Sequence, residues 1–205
     1  MPDWNDIFTK KGKVFTEPHS DMERIVIIFK NKRVQKVLDL GCGTGRHLIF
    51  LSKKGFDVYG FDASPKALSL ATQWLEEENL NVELKLARME EPFPYDDDYF
   101  DAIISIRVIH HNKISEILKT VGEIGRILKK EGLIFINFLK LGNIWESANL
   151  KEVEKGTYIP QKGKEKGLLH HFFTIEEIHN TFSSFDLIEI YPDGKNHRAI
   201  LGIKK

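Results

Sequence analysis

Short apolar runs alternate with helical stretches along most of the chain. Five runs predict buried strands: residues 37–40, 56–61, 82–86, 100–106 and 132–138. Between them, apolar residues spaced by three or four predict helices that begin near residues 44, 64 and 114. Strands that alternate with helices of about 10–15 residues are typical of βαβ units on a parallel sheet. The pattern therefore predicts an α/β fold with a doubly wound, mostly parallel sheet.

The C-terminal third departs from this alternation. Residues 141–167 are polar and rich in Lys and Gly, and they predict irregular structure. A capping-box spacing at Thr174 predicts the start of another helix. Two strands near residues 186–191 and 198–203 flank the turn sequence Pro-Asp-Gly at 192–194, which predicts a C-terminal antiparallel hairpin.

The composition narrows the class of protein. The 30 Lys and Arg residues balance the 30 Asp and Glu residues, which speaks against the global basic charge of many nucleic-acid binders. With 41% hydrophobic residues, a disordered chain is excluded. The single cysteine, Cys42, excludes an intrachain disulfide and favours a reducing, cytoplasmic location. We find no signal-peptide pattern and no apolar run near the roughly 20 residues that span a bilayer, so we expect no membrane association.

The most informative stretch runs from Val37 to Gly45 and has the sequence VLDLGCGTG. It follows a predicted strand and opens a predicted helix. Glycines at such a turn let the backbone approach a ligand with no Cβ atom in the way. The helix N-terminus behind them presents unpaired N–H groups, which suit a carboxylate or a phosphate. In a doubly wound sheet, ligands bind at this point, beyond the carboxyl ends of the strands.

The residues around the turn narrow the choice of ligand. Arg46 stands where the dinucleotide pattern G-x-G-x-x-G has Gly or Ala. Asp39 places an anionic side chain before the turn, which disfavours a pyrophosphate and favours a ligand with a cationic group. Asp62 follows Gly41 by 21 residues, the spacing at which a carboxylate accepts hydrogen bonds from ribose hydroxyls. The sequence therefore predicts a site for a ribose joined to a cationic group.

These motifs resemble those of the class I S-adenosylmethionine-dependent methyltransferases. Residues 39–45 resemble the first motif of that family, and residues 60–64 (GFDAS) resemble the second. Later segments match in the same order: MEEPF at 89–93, YFD at 99–101, IRVIHH at 106–111 and EIGRILKKEG at 123–132. The resemblance covers roughly residues 38–138, and the tail is similar to small stand-alone members near the tellurite-resistance and ubiquinone-biosynthesis (methyltransferase type 11) enzymes. It implies a Rossmann-like, seven-stranded methyltransferase fold with S-adenosylmethionine as cofactor and S-adenosylhomocysteine as product.

The resemblance also assigns cofactor-binding roles to single residues. Three residues line the methionine part of the cofactor: Gly41, Cys42 and Gly43. Asp39 faces its ammonium group through water, and Arg107 lies near the methionine end by a backbone contact. Asp62 holds the ribose hydroxyls, with Ala63 beside the adenine.

Adenine recognition departs from the family pattern. Many members have an Asp that binds the adenine amino group just before the Pro-Phe turn, and here that position is Ala87. Recognition is therefore expected to depend on the backbone at Arg88 and Met89, or on Glu90.

Two adjacent histidines, His110 and His111, are the candidate general bases. Neighbouring residues of an extended segment point to opposite sides, so we expect one ring to pack and the other to reach the substrate. No ligand spacing typical of zinc is present, and no metal is predicted. Two questions stay open. Lys162, Lys164 and Lys166 either form a solvated loop or contact an acidic or nucleic-acid substrate, and Trp4 and Phe15 belong either to the core or to a lid over the cofactor.

The length of 205 residues predicts one domain in four parts. They are a helical cap at 1–34, a cofactor-binding core at 35–140, a substrate-side insertion at 141–173, and a helix with a hairpin at 174–205.

The predicted activity is methyl transfer to an O, N, S or C nucleophile of a small-molecule acceptor. The alternatives are an RNA acceptor, a nicotinamide-dependent oxidoreductase, and a non-catalytic cofactor-binding protein on the same fold. The zero net charge favours the small molecule over RNA, and the sequence leaves the oligomeric state open.

Overall fold

A computed structural model describes residues 4–140, 149–194 and 196–205 of the chain. Its main sheet has seven strands in the order β3-β2-β1-β4-β5-β10-β9. These strands are β1 (Lys36–Leu40), β2 (Asp57–Asp62), β3 (Glu83–Leu86), β4 (Phe100–Ile106), β5 (Leu128–Leu139), β9 (Phe185–Asp193) and β10 (His197–Lys204). The helices are α1 (Trp4–Lys11), α2 (Met22–Asn31), α3 (Arg46–Lys53), α4 (Pro65–Glu77), α5 (Ile114–Ile127) and α6 (Ile175–Thr181).

The strand pairing confirms the predicted doubly wound, Rossmann-like topology. Strands β1 to β5 pair in parallel, whereas β10 pairs antiparallel with both β5 and β9. The chain winds outward from β1 to β3 and then crosses to β4 on the other side of β1. The resulting crevice lies at the carboxyl ends of β1 and β4, where doubly wound sheets bind ligands.

Two hydrophobic clusters cover the two faces of the sheet, which explains the nearly continuous apolar strands. Alternate residues of β1 divide between them, with Val37 in one cluster and Leu38 in the other. The first cluster packs against helices α2, α3 and α4, through residues such as Leu48. The second packs against α5 and α6, through Ile124 and Ile178.

The last predicted helix of the core ends earlier than expected. The spacing of apolar residues predicts a helix to about Lys130, but α5 ends at Ile127 and β5 begins at Leu128. Leu128 is fully buried and pairs with Phe100 at the start of β4. Sheet pairing and burial therefore outweigh the helical propensity of this segment.

The prediction of irregular structure for residues 141–167 is wrong for residues 150–160, whereas residues 161–167 form bends and turns. Strands β6 (Leu150–Glu154) and β7 (Thr157–Pro160) form a hairpin, and β8 (His170–His171) adds a third strand. Most residues of β6 are exposed, so the segment lacks the apolar alternation that predicts a strand. Residues 141–148 of the expected insertion lie outside the described residues.

The C-terminal hairpin is confirmed, but its turn lies later than predicted. Pro192 and Asp193 belong to β9 and pair with Arg198 and His197 of β10. Asp193 is held in place by His19, whose Nε2 lies 2.7 Å from Oδ2 of Asp193. Because Pro192 and Asp193 pair with β10, only Gly194 of the predicted turn sequence lies in the turn.

The turn between β1 and α3 depends on glycine. Gly41, Gly43 and Gly45 have φ angles of +72°, +54° and +97°, a region that side chains with a Cβ rarely adopt. A Cβ atom at Gly41 would lie 2.5 Å from both methyl carbons of Val108. The turn therefore brings β1 against the loop after β4 more closely than any other residue allows.

We expect Gly41→Ala to lower the free energy of unfolding by about 2–4 kcal/mol, because backbone strain adds to overpacking against a stiff β-branched side chain. Gly55→Ala is the matched control, since Gly55 has a φ of +89° but nothing within 4 Å of a Cβ atom. It should cost about 1–2 kcal/mol. Urea unfolding measures both values, and equal losses would contradict the close approach to Val108.

Candidate functional site

A cavity of about 700 Å³ opens at the carboxyl ends of the parallel strands. Its volume lies within the range of about 300–1,000 Å³ that is typical of small-ligand pockets. The walls come from the segments that follow β1, β2, β3 and β4, from α1, and from residues 160–169 between β7 and β8. The structure thus brings most of the predicted site residues together in one cavity.

Asp62 connects the end of β2 to the glycine turn. Its Oδ2 accepts a hydrogen bond from the backbone N–H of Gly43 at 2.9 Å, and its Oδ1 accepts one from Ser64 at 2.8 Å. Burial raises the pKa of the Asp62 carboxyl, and these backbone N–H groups oppose that rise. Each carboxylate oxygen keeps a further lone pair, so Asp62 can accept hydrogen bonds from a ligand that enters the cavity.

Asp39 lies in β1, is buried, and is not among the residues that line the cavity. Its Oδ2 is buried with no hydrogen-bond partner in the part of the chain that the structure describes. The nearest basic atom is Nδ1 of His47, at 3.9 Å. Burial raises the pKa of Asp39 to about 7, so a cation near the turn would stabilise its ionised form.

Cys42 lies in the turn, Arg46 begins the helix that follows it, and both residues line the cavity. Burial raises the pKa of the Cys42 thiol well above its ordinary value, so this thiol stays protonated. The Arg46 guanidinium donates to the backbone carbonyl of Glu17 at 3.1 Å. Arg46 therefore ties the segment after α1 to the helix that begins at the turn.

The segment after β3 lines the cavity with Ala87, Arg88, Met89 and Glu90. The Thr120 hydroxyl donates to the Met89 carbonyl at 2.7 Å, which fixes the path of this segment. Glu90 pairs with Arg88, with Oε1 and Nε 2.6 Å apart. No Asp occupies position 87, as the sequence indicates.

Helix α1 forms one wall of the cavity through Trp4, Asn5 and Phe8. Asn5 Oδ1 accepts hydrogen bonds from the Ser64 hydroxyl at 2.9 Å and from the Lys66 backbone N–H at 3.0 Å. These contacts fasten α1 to the start of α4. The sequence did not single out Asn5, because its partners lie about 60 residues away.

Trp4 and Phe15 both line the cavity, which favours the lid over the core. The Trp4 ring meets His111 edge-on, with centroids 5.0 Å apart. Phe15 is 41% exposed, too much for a core residue.

The opposite part of the cavity, here called the acceptor end, contains six basic side chains: Arg107, His110, His111, Lys162, Lys164 and His197. The rings of His110 and His111 lie side by side, with centroids 4.2 Å apart. The expectation that they point to opposite sides is wrong, because the segment is a turn closed by a hydrogen bond from His111 N–H to the Val108 carbonyl. Both rings therefore face the cavity.

The hydrogen bonds of His111 determine its tautomer. Its Nδ1 lies 3.1 Å from the Leu169 carbonyl, an acceptor, so Nδ1 carries the proton and Nε2 keeps the lone pair. Desolvation, assisted by the charge of His170, lowers the pKa of His111 to about 4. The ring is therefore neutral at pH 7 and able to accept a proton.

The insertion is fixed to the loop after β4. His171 N–H donates to the His110 carbonyl at 2.7 Å, and His170 Nε2 lies 2.7 Å from Oε2 of Glu165. Lys162 and Lys164 line the cavity mouth, whereas Lys166 does not.

Within residues 4–140, 149–194 and 196–205, no group of three or more His, Cys, Asp or Glu side chains is arranged to hold a metal ion. Among the helices that the structure describes, none combines the length and the apolar character needed to cross a membrane.

A family model described as a methyltransferase domain matches residues 37–132. A probable S-adenosyl-L-methionine-dependent methyltransferase, TehB from Haemophilus influenzae, is 29% identical over 123 residues, which are 58% of this chain and 40% of the relative. A ubiquinone biosynthesis O-methyltransferase from Pelagibacter ubique is 32% identical over 101 residues, or 49% of this chain and 40% of the relative. The chain thus spans less than half the length of these two relatives.

The fold has matches among solved structures. The crystal structure of the PH0226 protein from Pyrococcus horikoshii OT3 superposes with a TM-score of 0.78 at 20% identity, covering 99% of this chain and 100% of that one. At 20% sequence identity, this structural similarity shows the fold and not the function. Together with the matched domain, it confirms the resemblance drawn from the glycine turn and Asp62. Residues 37–132 are thus similar to a methyltransferase domain, and the relatives that the chain matches include a probable S-adenosyl-L-methionine-dependent methyltransferase.

Proposed function

We propose that this chain transfers the methyl group of S-adenosylmethionine to an O, N, S or C nucleophile of a small-molecule acceptor. The observation that carries the proposal is the single cavity that joins the glycine turn and Asp62 to the acceptor end. The volume of about 700 Å³ accommodates a nucleoside cofactor and a small acceptor side by side. The methyltransferase relatives support methyl transfer as the reaction. The choice of a small-molecule acceptor depends on the geometry of the cavity alone.

The residues present fit the cofactor. Gly41, Cys42 and Gly43 offer backbone without large side chains for its methionine part, and Asp62 offers free lone pairs for its ribose hydroxyls. The Oδ2 of Asp39 makes no hydrogen bond within the described residues, and the ammonium group of the cofactor would stabilise the ionised form of this carboxyl. Ala63, Arg88 and Met89 would contact the adenine, and the backbone of Arg107 would contact the methionine end.

When bound, the cofactor supplies an electrophilic methyl carbon on a sulfonium, so the reaction needs alignment of a nucleophile more than activation by the protein. Trp4 and Phe8 of α1 cover one side of the cavity, and residues 160–169 cover the other. These walls exclude water and hold the acceptor in line with the methyl carbon, which is the main contribution expected of the protein.

His111 is the proposed general base. Its Nε2 lone pair is available because Nδ1–H faces the Leu169 carbonyl. A pKa of about 4 makes it a weak base. A weak base suffices here, because the proton of the acceptor becomes strongly acidic as its bond to the methyl carbon forms. His110, whose ring lies beside that of His111, is the second candidate.

Asp62→Ala should weaken binding of S-adenosylmethionine by about 1–3 kcal/mol, the scale for loss of a charged hydrogen-bond partner. Asp57→Ala, at the opposite end of β2, is the matched control and should leave the affinity unchanged. Isothermal titration calorimetry measures both. If the folded wild-type protein binds no cofactor at millimolar concentration, the proposed function is wrong; if only the effect of Asp62→Ala is missing, the role of Asp62 is wrong.

His111→Asn should lower kcat by about 10²-fold or more with whichever small acceptor yields S-adenosylhomocysteine in a screen. Because the base must be unprotonated, the wild-type kcat/KM should stay constant near neutral pH and fall as the pH falls through about 4. His179→Asn, on the exposed side of α6, is the control. An acidic limb near pH 6.5, or an unchanged kcat in His111→Asn, would remove His111 from the role of base.

A further inference from the structure

We infer that the methyl acceptor carries an oxyanion, a carboxylate or a phosphate, which binds at the acceptor end against Arg107, Lys162 and Lys164. The inference rests on the proposed function, since a ligand in this place is an acceptor only if the glycine turn holds the cofactor. The resemblance and the relatives leave the chemistry of the acceptor open, whereas the side chains at this end of the cavity restrict it.

Carboxylates are distributed unevenly along the cavity, whereas cations line both ends, with Arg46 and Arg88 at the cofactor end. Of the acidic residues among its described lining, Asp62 and Glu90 lie at the cofactor end, and Glu165 lies at the acceptor end. Glu165 is already bound to His170 at 2.7 Å. Burial opposes its ionisation, yet the hydrogen bond from His170 leaves its pKa below the ordinary value. The acceptor end thus combines three permanent cations with one carboxylate that is already paired.

Arg107 belongs to the loop after β4, whereas Lys162 and Lys164 belong to the insertion. Arg107 follows β4 with a φ of +63°, a strained conformation for a residue with a Cβ atom. Its backbone N–H donates to the Asn137 carbonyl at 3.2 Å, and Arg107 is an exposed residue. The backbone is therefore held in an unfavourable region while the charged group stays available in the cavity. A hydrogen bond with His19 lowers the pKa of Asp193, and the charge of Arg107 contributes to this lowering, but that carboxylate is already paired with His19. The planar guanidinium of an arginine can donate two parallel hydrogen bonds to the oxygens of a carboxylate or a phosphate.

The charge of Arg107 reaches the neighbouring imidazoles. Burial first, and then the Arg107 guanidinium, lower the pKa of His197 to about 4. The ring of His110 lies 6.4 Å from that of His197, and its buried Nδ1 has no hydrogen-bond partner in the described chain. An anion in this space would compensate the positive field and give ring N–H groups an acceptor.

The same arrangement disfavours other acceptors. A cationic amine would meet Arg107, Lys162 and Lys164 and raise the free energy of the complex by like-charge repulsion. A neutral acceptor would lack the charge-assisted hydrogen bonds that an oxyanion can accept from these three cations. The oxyanion is therefore the chemistry that satisfies the acceptor end, and the identity of the anion is left to experiment.

The test uses protein saturated with S-adenosylhomocysteine, because the cofactor has a carboxylate of its own that must be in place first. Isothermal titration calorimetry at fixed ionic strength compares benzoate, phenyl phosphate and the neutral isostere benzamide. We expect one of the two anions to bind about tenfold or more tightly than benzamide. Preference between benzoate and phenyl phosphate distinguishes a carboxylate site from a phosphate site.

The double variant Lys162→Gln/Lys164→Gln should lose most of the preference for the anion and keep its affinity for S-adenosylhomocysteine. The matched control is Lys151→Gln/Lys155→Gln, which removes the same charge from exposed positions of the same insertion outside the cavity. Any one of three results would overturn the inference. They are equal affinities for benzamide and the anions, no binding by either anion at millimolar concentration, and the same loss of anion preference in both double variants. Failure of S-adenosylhomocysteine to bind would instead count against the proposed function, because its titration is a separate measurement.

Discussion

The hydrogen bonds between the end of β2 and the glycine turn are the constraint on which the cavity depends. Gly41 and Cys42 donate to the Phe61 carbonyl, and Gly43 donates to the Asp62 carboxylate. They hold the turn open at the point where the strand order reverses. The turn lies against Val108 only because Gly41 lacks a Cβ atom. A change in any of these contacts would shift the cofactor end of the cavity and the loop after β4 together.

The acceptor end is built on this scaffold from three distant parts of the chain. Arg107 and the paired histidines follow β4, the lysines belong to the insertion, and His197 begins β10. Backbone contacts such as that from His171 N–H to the His110 carbonyl join the insertion to the loop after β4. Proteins that share one fold and one cofactor can act on different acceptors because their loops differ. In this chain the loops create a positive field, which sets the proposed class of acceptor.

The sequence predicted the core of the fold and the glycine turn after β1 because both depend on local signals. Buried parallel strands appear as apolar runs, and the turn from β1 to α3 requires glycines that are visible in the chain. The strand β6 was missed because its residues are largely exposed, and the end of α5 was misplaced because pairing with Phe100 decides it. The side-by-side rings of His110 and His111 depend on a turn that no periodicity reveals. Asn5 acts on Ser64 across a long stretch of chain, so only the structure shows it.

A crystal structure of the complex with S-adenosylhomocysteine tests the central claim most directly. The account predicts the ribose hydroxyls within hydrogen-bond distance of the Asp62 carboxylate, and the sulfur atom directed toward Arg107 and His111. The space beyond the sulfur should be the acceptor end of the cavity. A nucleoside bound elsewhere, or a ribose held without Asp62, would contradict the account.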